Sequence, residues 1–245
     1  MADLKNRSRS ENGFSRRLNK IFVKHRKEAA DIMGMPAEPS RLSSDYWERL
    51  ESEVRGELEK SLPTTYKRSW AQHLPESMRK MKTFKEKGDG LAAEYGKRKS
   101  RTLASQFVQH TKERLARIKD IPRPDGFMEK GSEYQKELRG SLRSALGQAR
   151  GNRIAVSETT AAVTEASERV VLETVGWSEN DTWFTKSDDR VCPTCAPLHR
   201  NKRSEWAKSH PAGPPAHVNC RCWIDYETKK RGDKTGKQAF LDLGK

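Results

Sequence analysis

The chain of 245 residues is long enough for one large domain or two small ones. Hydrophobic residues make up 33% of it and charged residues 34%, and even with the 16 glycines added the apolar share stays below the roughly 45–50% of ordinary globular domains. We therefore expect a thin core and helices with narrow apolar stripes. No run approaches the roughly 20 apolar residues of a transmembrane helix, and the N-terminal sequence has no apolar segment of a secretory signal, so we expect no membrane partner.

The net charge of +15 is concentrated in the first part of the chain. Residues 1–150 hold 34 lysines and arginines against 21 aspartates and glutamates, a net charge of +13. Such a region attracts polyanions, most commonly nucleic acid. We expect non-specific binding of double-stranded DNA through phosphate neutralisation; the alternative is that the cations only solvate long helices. At helical spacing, four aromatic residues are expected to be core anchors rather than base-stacking groups: Trp47, Tyr66, Trp70 and Tyr95.

Apolar residues at helical spacing predict two helices near the N-terminus. The first covers residues 16–33 and is expected to end at Gly34, since glycine and a nearby proline stop helices. A second helix is expected to open at Asp45, where Glu48 completes a capping box. Pro63 is expected to stop it.

The middle of the chain predicts a less regular segment and then further helices. Residues 76–101 are basic, broken by glycine and poor in apolar anchors, so we predict a loop or a mobile helix there. Apolar spacing predicts a third helix that ends before Pro122, followed by a longer helical stretch interrupted at Gly151. A further segment, 153–175, carries a stripe of small residues that would let another helix approach closely.

After residue 176 the residue composition changes. Residues 182–195 and 220–227 mix aromatic, β-branched and turn residues, which is typical of short strands that flank a loop. Residues 229–245 are basic and contain glycine, and we expect a mobile tail. The predicted fold is mainly α, with helical N-terminal and central regions and a small zinc-stabilised α+β module at the C-terminus.

The four cysteines of the chain lie within 31 positions near the C-terminus, which favours a metal site over disulfides in an apparently cytosolic chain. Cys192 and Cys195 form a C-x-x-C turn, and Cys220 and Cys222 follow about two dozen residues later. Tetrahedral Zn²⁺ usually takes four such ligands in structural sites. We therefore predict a structural zinc site with Cys192, Cys195, Cys220 and Cys222 as ligands.

The fourth ligand has an alternative. On a straight strand Cys220 and Cys222 would stand about 6–7 Å apart, which is too far for two sulfurs that share one metal unless the chain bends. His217 and Cys220 have the i, i+3 spacing of a turn and form the alternative second pair. A third interpretation is that two or more of the cysteines are only packed or redox-active.

Catalysis at this metal is not expected. His199, His210 and His217 are present, but the sequence has no H-E-x-x-H motif and no H-x-E before the cysteines. Four thiolates would also close the coordination shell, so we predict no enzymatic activity. Trp206 lies between the two halves of the site, and it is expected either to anchor a protein partner from a displayed loop or to fold back onto helices of residues 140–175.

The same region resembles the C-terminal signature of phage head-morphogenesis proteins, the minor head protein family that includes the Mu-F-like group. The resemblance covers about residues 140–225. The matching stretches are Asp189-Arg190-Val191-Cys192-Pro193-x-Cys195, Leu198, Pro214-Pro215-x-His217-x-x-Cys220-Arg221-Cys222 and, upstream, Arg153-Ile154-Ala155-x-Ser157-Glu158-Thr159.

The resemblance implies a low-copy, portal-associated minor capsid protein of the virion head, assembled in the host cytoplasm and in contact with packaged DNA. The implied partners are the portal and other capsid proteins. The implied organisation is a basic helical region over residues 1–125, a head-morphogenesis-like domain with the zinc module over 126–228, and the tail over 229–245. Two other functions fit the composition: a zinc-containing, non-specific nucleic-acid-binding protein and, with less support, a zinc-dependent hydrolase or nuclease.

Overall fold

The computed structural model describes residues 2–189 and 191–227, with side chains from Arg7 onward. The predicted tail at 229–245 lies outside the described residues. Helices dominate, and one small antiparallel sheet lies near the C-terminus, so the predicted fold class is confirmed in its mainly α character and its small α+β C-terminal module. The helices are α1 (Ala2–Met33), α2 (Ser44–His73), α3 (Glu76–Arg79), α4 (Lys82–Ala116), α5 (Glu133–Ala145), α6 (Gln148–Thr174) and α7 (Arg203–Trp206).

The sheet pairs strand β1 (Thr182–Phe184) with strand β2 (Trp223–Asp225), and Trp183 stands opposite Ile224. These are the two short strands that the aromatic and β-branched residues predict. Short 3-10 helices connect several of the elements: Pro39–Arg41, Arg117–Asp120 and Ala196–Leu198. Among the helices of the described residues, none is both long and apolar enough to cross a membrane.

The chain forms two compact units, and neither is continuous in sequence. Unit 1 comprises residues 1–10, 62–95 and 156–245, and unit 2 comprises residues 11–61 and 96–155. Both are built around buried aromatic residues. In unit 1, Tyr66 packs against Tyr95 with ring centroids 5.2 Å apart, and in unit 2, Phe22 stacks on Phe107 at 4.7 Å. The division into 1–125, 126–228 and 229–245 remains a prediction.

The predicted stop of the second helix at Pro63 is wrong, because Pro63 lies inside α2. A proline in a helix interior costs about 3 kcal/mol, since it removes one backbone hydrogen bond and crowds the preceding turn. The apolar stripe of α2 continues past it, however, and its later members Leu62, Tyr66 and Trp70 are all buried. Their burial outweighs the local cost.

Of the two structures predicted for residues 76–101, a loop or a mobile helix, the loop is wrong, because α3 and the first part of α4 occupy this segment. Its few apolar residues are widely spaced, but each is buried: Met78, Phe84, Ala92 and Tyr95. The glycine that suggested a break serves close packing instead. A Cβ added at Gly88 would lie 2.4 Å from the Trp70 ring, so only glycine lets the tryptophan lie against the helix.

This contact gives a first prediction, with a matched control two residues away. Gly88→Ala is expected to destabilise the protein by about 1–3 kcal/mol, because the new methyl group overlaps the buried Trp70 ring. Gly90→Ala meets no atom within 4 Å and is expected to stabilise the helix by roughly 0.5–1 kcal/mol. Chemical denaturation of the two variants measures both values, and a loss as large at Gly90 would contradict the packing explanation.

The interruption predicted at Gly151 is wrong in position. The break between α5 and α6 falls at Leu146 and Gly147, and Gly151 lies within α6. A Cβ at Gly151 would lie 2.2 Å from the Asn19 Oδ1 atom, so this glycine accommodates a side chain of α1. The other predicted ends agree with the structure, since α1 ends at Met33 and the helical residues after α4 end at Asp120, before Pro122.

We call residues 177–189 and 191–227 the C-terminal module. Its core contains Trp183, Leu198, Trp206 and Ile224, together with three cysteines. Trp206 is only 1% exposed, its ring centroid lies 5.7 Å from that of Trp183, and its Nε1–H donates to the Asp181 carbonyl at 2.9 Å. Trp206 is therefore not displayed on an exposed loop, since it packs in the core of the module itself.

Candidate metal centre

Two short turns with the same hydrogen bond form the candidate metal centre. The Cys195 N–H donates to the Cys192 carbonyl at 3.1 Å, and the Cys220 N–H donates to the His217 carbonyl at 3.2 Å. The first turn brings the Cys192 and Cys195 sulfurs to the same ring nitrogen of His217. Asn219, which lies within the second turn, has φ +67°, a conformation that asparagine tolerates better than most residues.

The side chains of these turns meet. The Cys192 Sγ lies 2.9 Å and the Cys195 Sγ 3.0 Å from the His217 Nε2, and the Cys195 and Cys220 sulfurs are 3.8 Å apart. Two groups of potential metal donors share Cys195: one with Cys192 and His217, the other with Cys220 and Cys222. All four predicted cysteines, all free thiols, and the alternative ligand His217 are therefore in one cluster, which could hold a metal ion.

Hydrogen bonding fixes the orientation of His217. Its Nδ1 lies 2.7 Å from the carbonyl oxygen of Val218. A carbonyl oxygen only accepts hydrogen bonds, so Nδ1 carries a proton, and in the neutral ring the lone pair is then on Nε2. That lone pair faces the sulfurs of Cys192 and Cys195. Metal-binding histidines have this arrangement, in which the second ring nitrogen donates to a backbone carbonyl.

The other two histidines of the module are not part of the cluster. His199 accepts a hydrogen bond from the Thr185 N–H at 3.1 Å, and its ring packs edge-on against Phe184. His210 contacts Ser209 and the Trp183 ring. The three histidines considered together in the sequence therefore separate into one candidate ligand and two residues with packing and hydrogen-bonding roles.

The cysteine thiols strongly shift one another's pKa values. A hydrogen bond from the Cys222 side chain, together with backbone N–H groups, lowers the pKa of Cys220 to about 5. Burial and the nearby charge of Cys220 raise the pKa of Cys195 to about 12, and the bond to Cys220 raises that of Cys222. Thiolates this close repel one another, and a bound cation would remove that repulsion.

Cys192, at the edge of the cluster, differs from Cys195 and Cys222. Burial raises the pKa of its thiol, but hydrogen bonds from Cys195 and Thr194 outweigh that effect and leave the pKa below its usual value. The donor set as a whole consists of four cysteine sulfurs and one imidazole. These are ligands for zinc and other transition metals rather than for magnesium or calcium, which prefer oxygen.

Residues far away in sequence hold the second turn in place. The Arg7 Nη1 donates to the Cys222 carbonyl at 3.0 Å and its Nη2 to the Cys220 carbonyl at 3.4 Å, while the Thr160 Oγ1 donates to the same Cys220 carbonyl at 2.6 Å. The Asn219 N–H donates to the Ser157 Oγ at 2.7 Å. These contacts connect the site to α1 and α6. No sequence pattern indicates a role for Arg7 at this site, whereas Ser157 lies in the segment that resembles head-morphogenesis proteins.

An ion pair between Arg221 and Asp188 holds the segment that precedes the first turn. Arg221 stands between Cys220 and Cys222, and both of its terminal nitrogens donate to the Asp188 carboxylate at 2.6 Å. A two-point guanidinium–carboxylate contact fixes orientation as well as distance. It joins the segment before Cys192 to the segment that carries the second pair of cysteines, so Asp188 has a structural partner beside the site.

Comparison with protein-family models, with characterised proteins and with solved structures gave no match for this chain. What the protein does is therefore inferred from its residues and their arrangement.

Proposed function

We propose that the C-terminal module binds one Zn²⁺ ion through Cys192, Cys195, His217 and Cys220. Two thiolates at about 2.3 Å from a tetrahedral metal stand about 3.8 Å apart, and the Cys195 and Cys220 sulfurs have this separation. The two equivalent turns would each supply one pair of ligands. Cys222 would then act beside the metal shell, through its hydrogen bond to Cys220. The four-cysteine set predicted from spacing is the alternative.

The proposed zinc is structural. Four protein ligands leave no coordination position for water or substrate, and an open position is what catalytic zinc sites keep. A bound metal would instead connect two turns that are separated by more than 20 residues. In a module with so small a core, the free energy of metal binding takes the place of buried apolar surface.

For the whole protein, we propose the function of a minor head protein of a tailed phage, low in copy number and associated with the portal. The supporting observation is the hydrogen bond from Asn219 to Ser157. It joins the two separate stretches of the sequence that resemble head-morphogenesis proteins, one in α6 and one around the cysteines. Separate matches that meet in one site are better support than either match alone.

We place the protein in the virion head, with the portal, other capsid proteins and double-stranded DNA as partners. The test combines the genes beside this one with the composition of purified particles. We expect neighbouring genes for a portal, a terminase and a scaffold, and we expect mass spectrometry to find the chain at low copy number in DNA-filled heads. Isolated tails serve as the control fraction.

The net charge also supports a second candidate, a zinc-containing protein that binds nucleic acid outside any capsid. The net charge of +15 suits that function equally well. The same experiment separates the two candidates: a chain that is missing from purified heads and has no capsid genes beside it would contradict the head-protein proposal and leave the second.

A further inference from the structure

The net positive charge of unit 2 comes from one part of its sequence. Residues 11–61 contain 10 lysines and arginines against 10 aspartates and glutamates, a net charge of zero. Residues 96–155 contain 15 against 6, a net charge of +9. The excess cations of this unit therefore lie on the second half of α4, on α5 and on the beginning of α6, with the segments that connect them.

Ion pairs occur in both segments, and in residues 96–155 they join Arg123 to Glu38 at 3.2 Å and Lys136 to Glu133 at 3.1 Å. In residues 11–61, Arg17 pairs with Glu57 at 2.7 Å, and further ion pairs join Lys24 to Glu53 and Arg49 to Glu28. Within the described residues, no carboxylate lies within salt-bridge distance of a set of five arginines that we call the arginine face. Its members are Arg114, Arg117, Arg139, Arg143 and Arg150.

Hydrogen bonds to uncharged groups hold two members of the arginine face, Arg114 and Arg150, near the end of α5. The Arg114 Nη1 donates to the carbonyl and the hydroxyl of Ser144 at 2.9 and 3.0 Å, which places α4 beside the last turn of α5. The Arg150 Nη1 donates to the Thr111 Oγ1 at 2.8 Å and to the Ala145 carbonyl at 2.6 Å. The guanidinium groups of Arg114, from α4, and Arg150, from α6, thus both lie at the C-terminal end of α5.

The remaining members follow helical spacing. Arg114 and Arg117 are three residues apart on α4 and the segment after it, and Arg139 and Arg143 are four apart on α5, so each pair shares a side of its helix. Arg150 is held rigidly, with its guanidinium carbon 4.2 Å from the centre of the Phe107 ring. Burial, and then the positive charges of Arg114 and Arg153, lower its pKa to about 10, so like charges are crowded here.

We propose that the arginine face is the surface through which this protein binds the phosphate backbone of double-stranded DNA. The inference rests on the proposed partnership with DNA and gives it a location. Guanidinium groups bind phosphate oxygens in a two-point manner, and exposed arginines on several helices can contact successive phosphates. The attraction is independent of base sequence.

A membrane surface fits this face less well. Membrane-surface helices combine cations with large exposed apolar side chains that enter the lipid. Among the described residues of 96–155, the one large exposed apolar side chain is that of Met128, in the segment between α4 and α5. The arginine face therefore has the charge for a polyanion without the apolar groups for lipid.

The experiment uses the full chain and two triple variants that remove the same charge. The first is Arg117→Gln, Arg139→Gln and Arg143→Gln; the matched control is Arg16→Gln, Lys20→Gln and Lys27→Gln, all exposed residues of α1. Fluorescence anisotropy with a duplex of about 30 base pairs, roughly three helical turns, measures affinity over a series of salt concentrations. Circular dichroism melting checks that both variants fold.

For the arginine-face variant we expect affinity at low salt to fall at least about tenfold, and the slope of log K against log salt to lose about one unit per arginine removed. The affinity of the control variant should stay within about threefold of that of the unchanged protein, because long-range attraction alone is strongly screened by salt.

An equal loss of affinity in both variants would overturn the location of the DNA-binding surface while leaving DNA binding itself intact. No binding by the unchanged chain, or tighter binding to phosphatidylserine vesicles than to DNA, would overturn the inference itself. Neither outcome decides whether the chain is present in phage heads, which particle composition tests separately.

Discussion

Cys195→Ser is expected to unfold the C-terminal module and to abolish metal binding. Cys195 belongs to both donor groups of the cluster, so either proposed ligand set loses a ligand with it. Structural zinc sites contribute apparent binding free energies of about 10–16 kcal/mol, more than a module with so few buried apolar side chains could replace. Elemental analysis should find about one zinc per unchanged chain, and thermal unfolding should show that the module no longer melts cooperatively in the variant.

The matched control is His199→Ala in the same module. His199 lies outside the donor cluster and hydrogen-bonds to the backbone N–H and the hydroxyl of Thr185, so its loss should cost only about 1–2 kcal/mol. Zinc content should be unchanged. Protein purified without chelator that contains no zinc, or an equal loss of stability in the Cys195→Ser and His199→Ala variants, would show that the ligands are wrongly identified.

The same measurements decide the ligand set. With Cys192, Cys195, His217 and Cys220 as ligands, His217→Ala should lose zinc and Cys222→Ser should keep it. With four cysteines as ligands, the two results are reversed. A backbone hydrogen bond orients His217 toward two sulfurs, which is why we expect the first pattern.

Local sequence patterns predicted the parts of the fold that depend on local forces. The apolar stripe of α1, its end before Gly34 and the two short strands were all visible in residue spacing. The cysteine spacing likewise predicted the metal cluster, because ligand positions in a tight turn follow from turn geometry. For the same reason the i, i+3 spacing of His217 and Cys220 indicates an alternative pair of ligands.

Features that depend on distant residues were predicted wrongly or missed. Pro63 remains helical because buried residues after it continue the stripe, and the few apolar residues of 76–101 are buried against residues from elsewhere in the chain, as Gly88 is against Trp70. The contact of Arg7 with the Cys220 carbonyl joins residues that are 213 positions apart. No pattern within a short window contains such information, since the stabilising partner lies elsewhere in the chain.

Trp206→Ala is expected to destabilise the module by about 3–5 kcal/mol, the usual cost of removing a large buried aromatic side chain. Trp206 is 1% exposed and packs on Trp183, and its loss also leaves the Asp181 carbonyl without the indole hydrogen bond. A cavity would form between β1 and the metal turns. We therefore expect weaker zinc retention against a chelator in addition to a lower melting temperature.

Trp177→Ala is the matched control, because both tryptophans contact the same arginine. The guanidinium carbon of Arg203 lies 4.8 Å from the ring centre of Trp206 and 4.7 Å from that of Trp177, but Trp177 is 49% exposed. Loss of an exposed cation–π contact should cost only about 0.5–1 kcal/mol. The comparison of the two variants therefore separates the effect of burying the tryptophan from the effect of its contact with Arg203. If Trp206→Ala instead kept its melting temperature and its zinc but failed to enter portal-containing particles, Trp206 would be a partner contact and its assignment to the module core would be wrong.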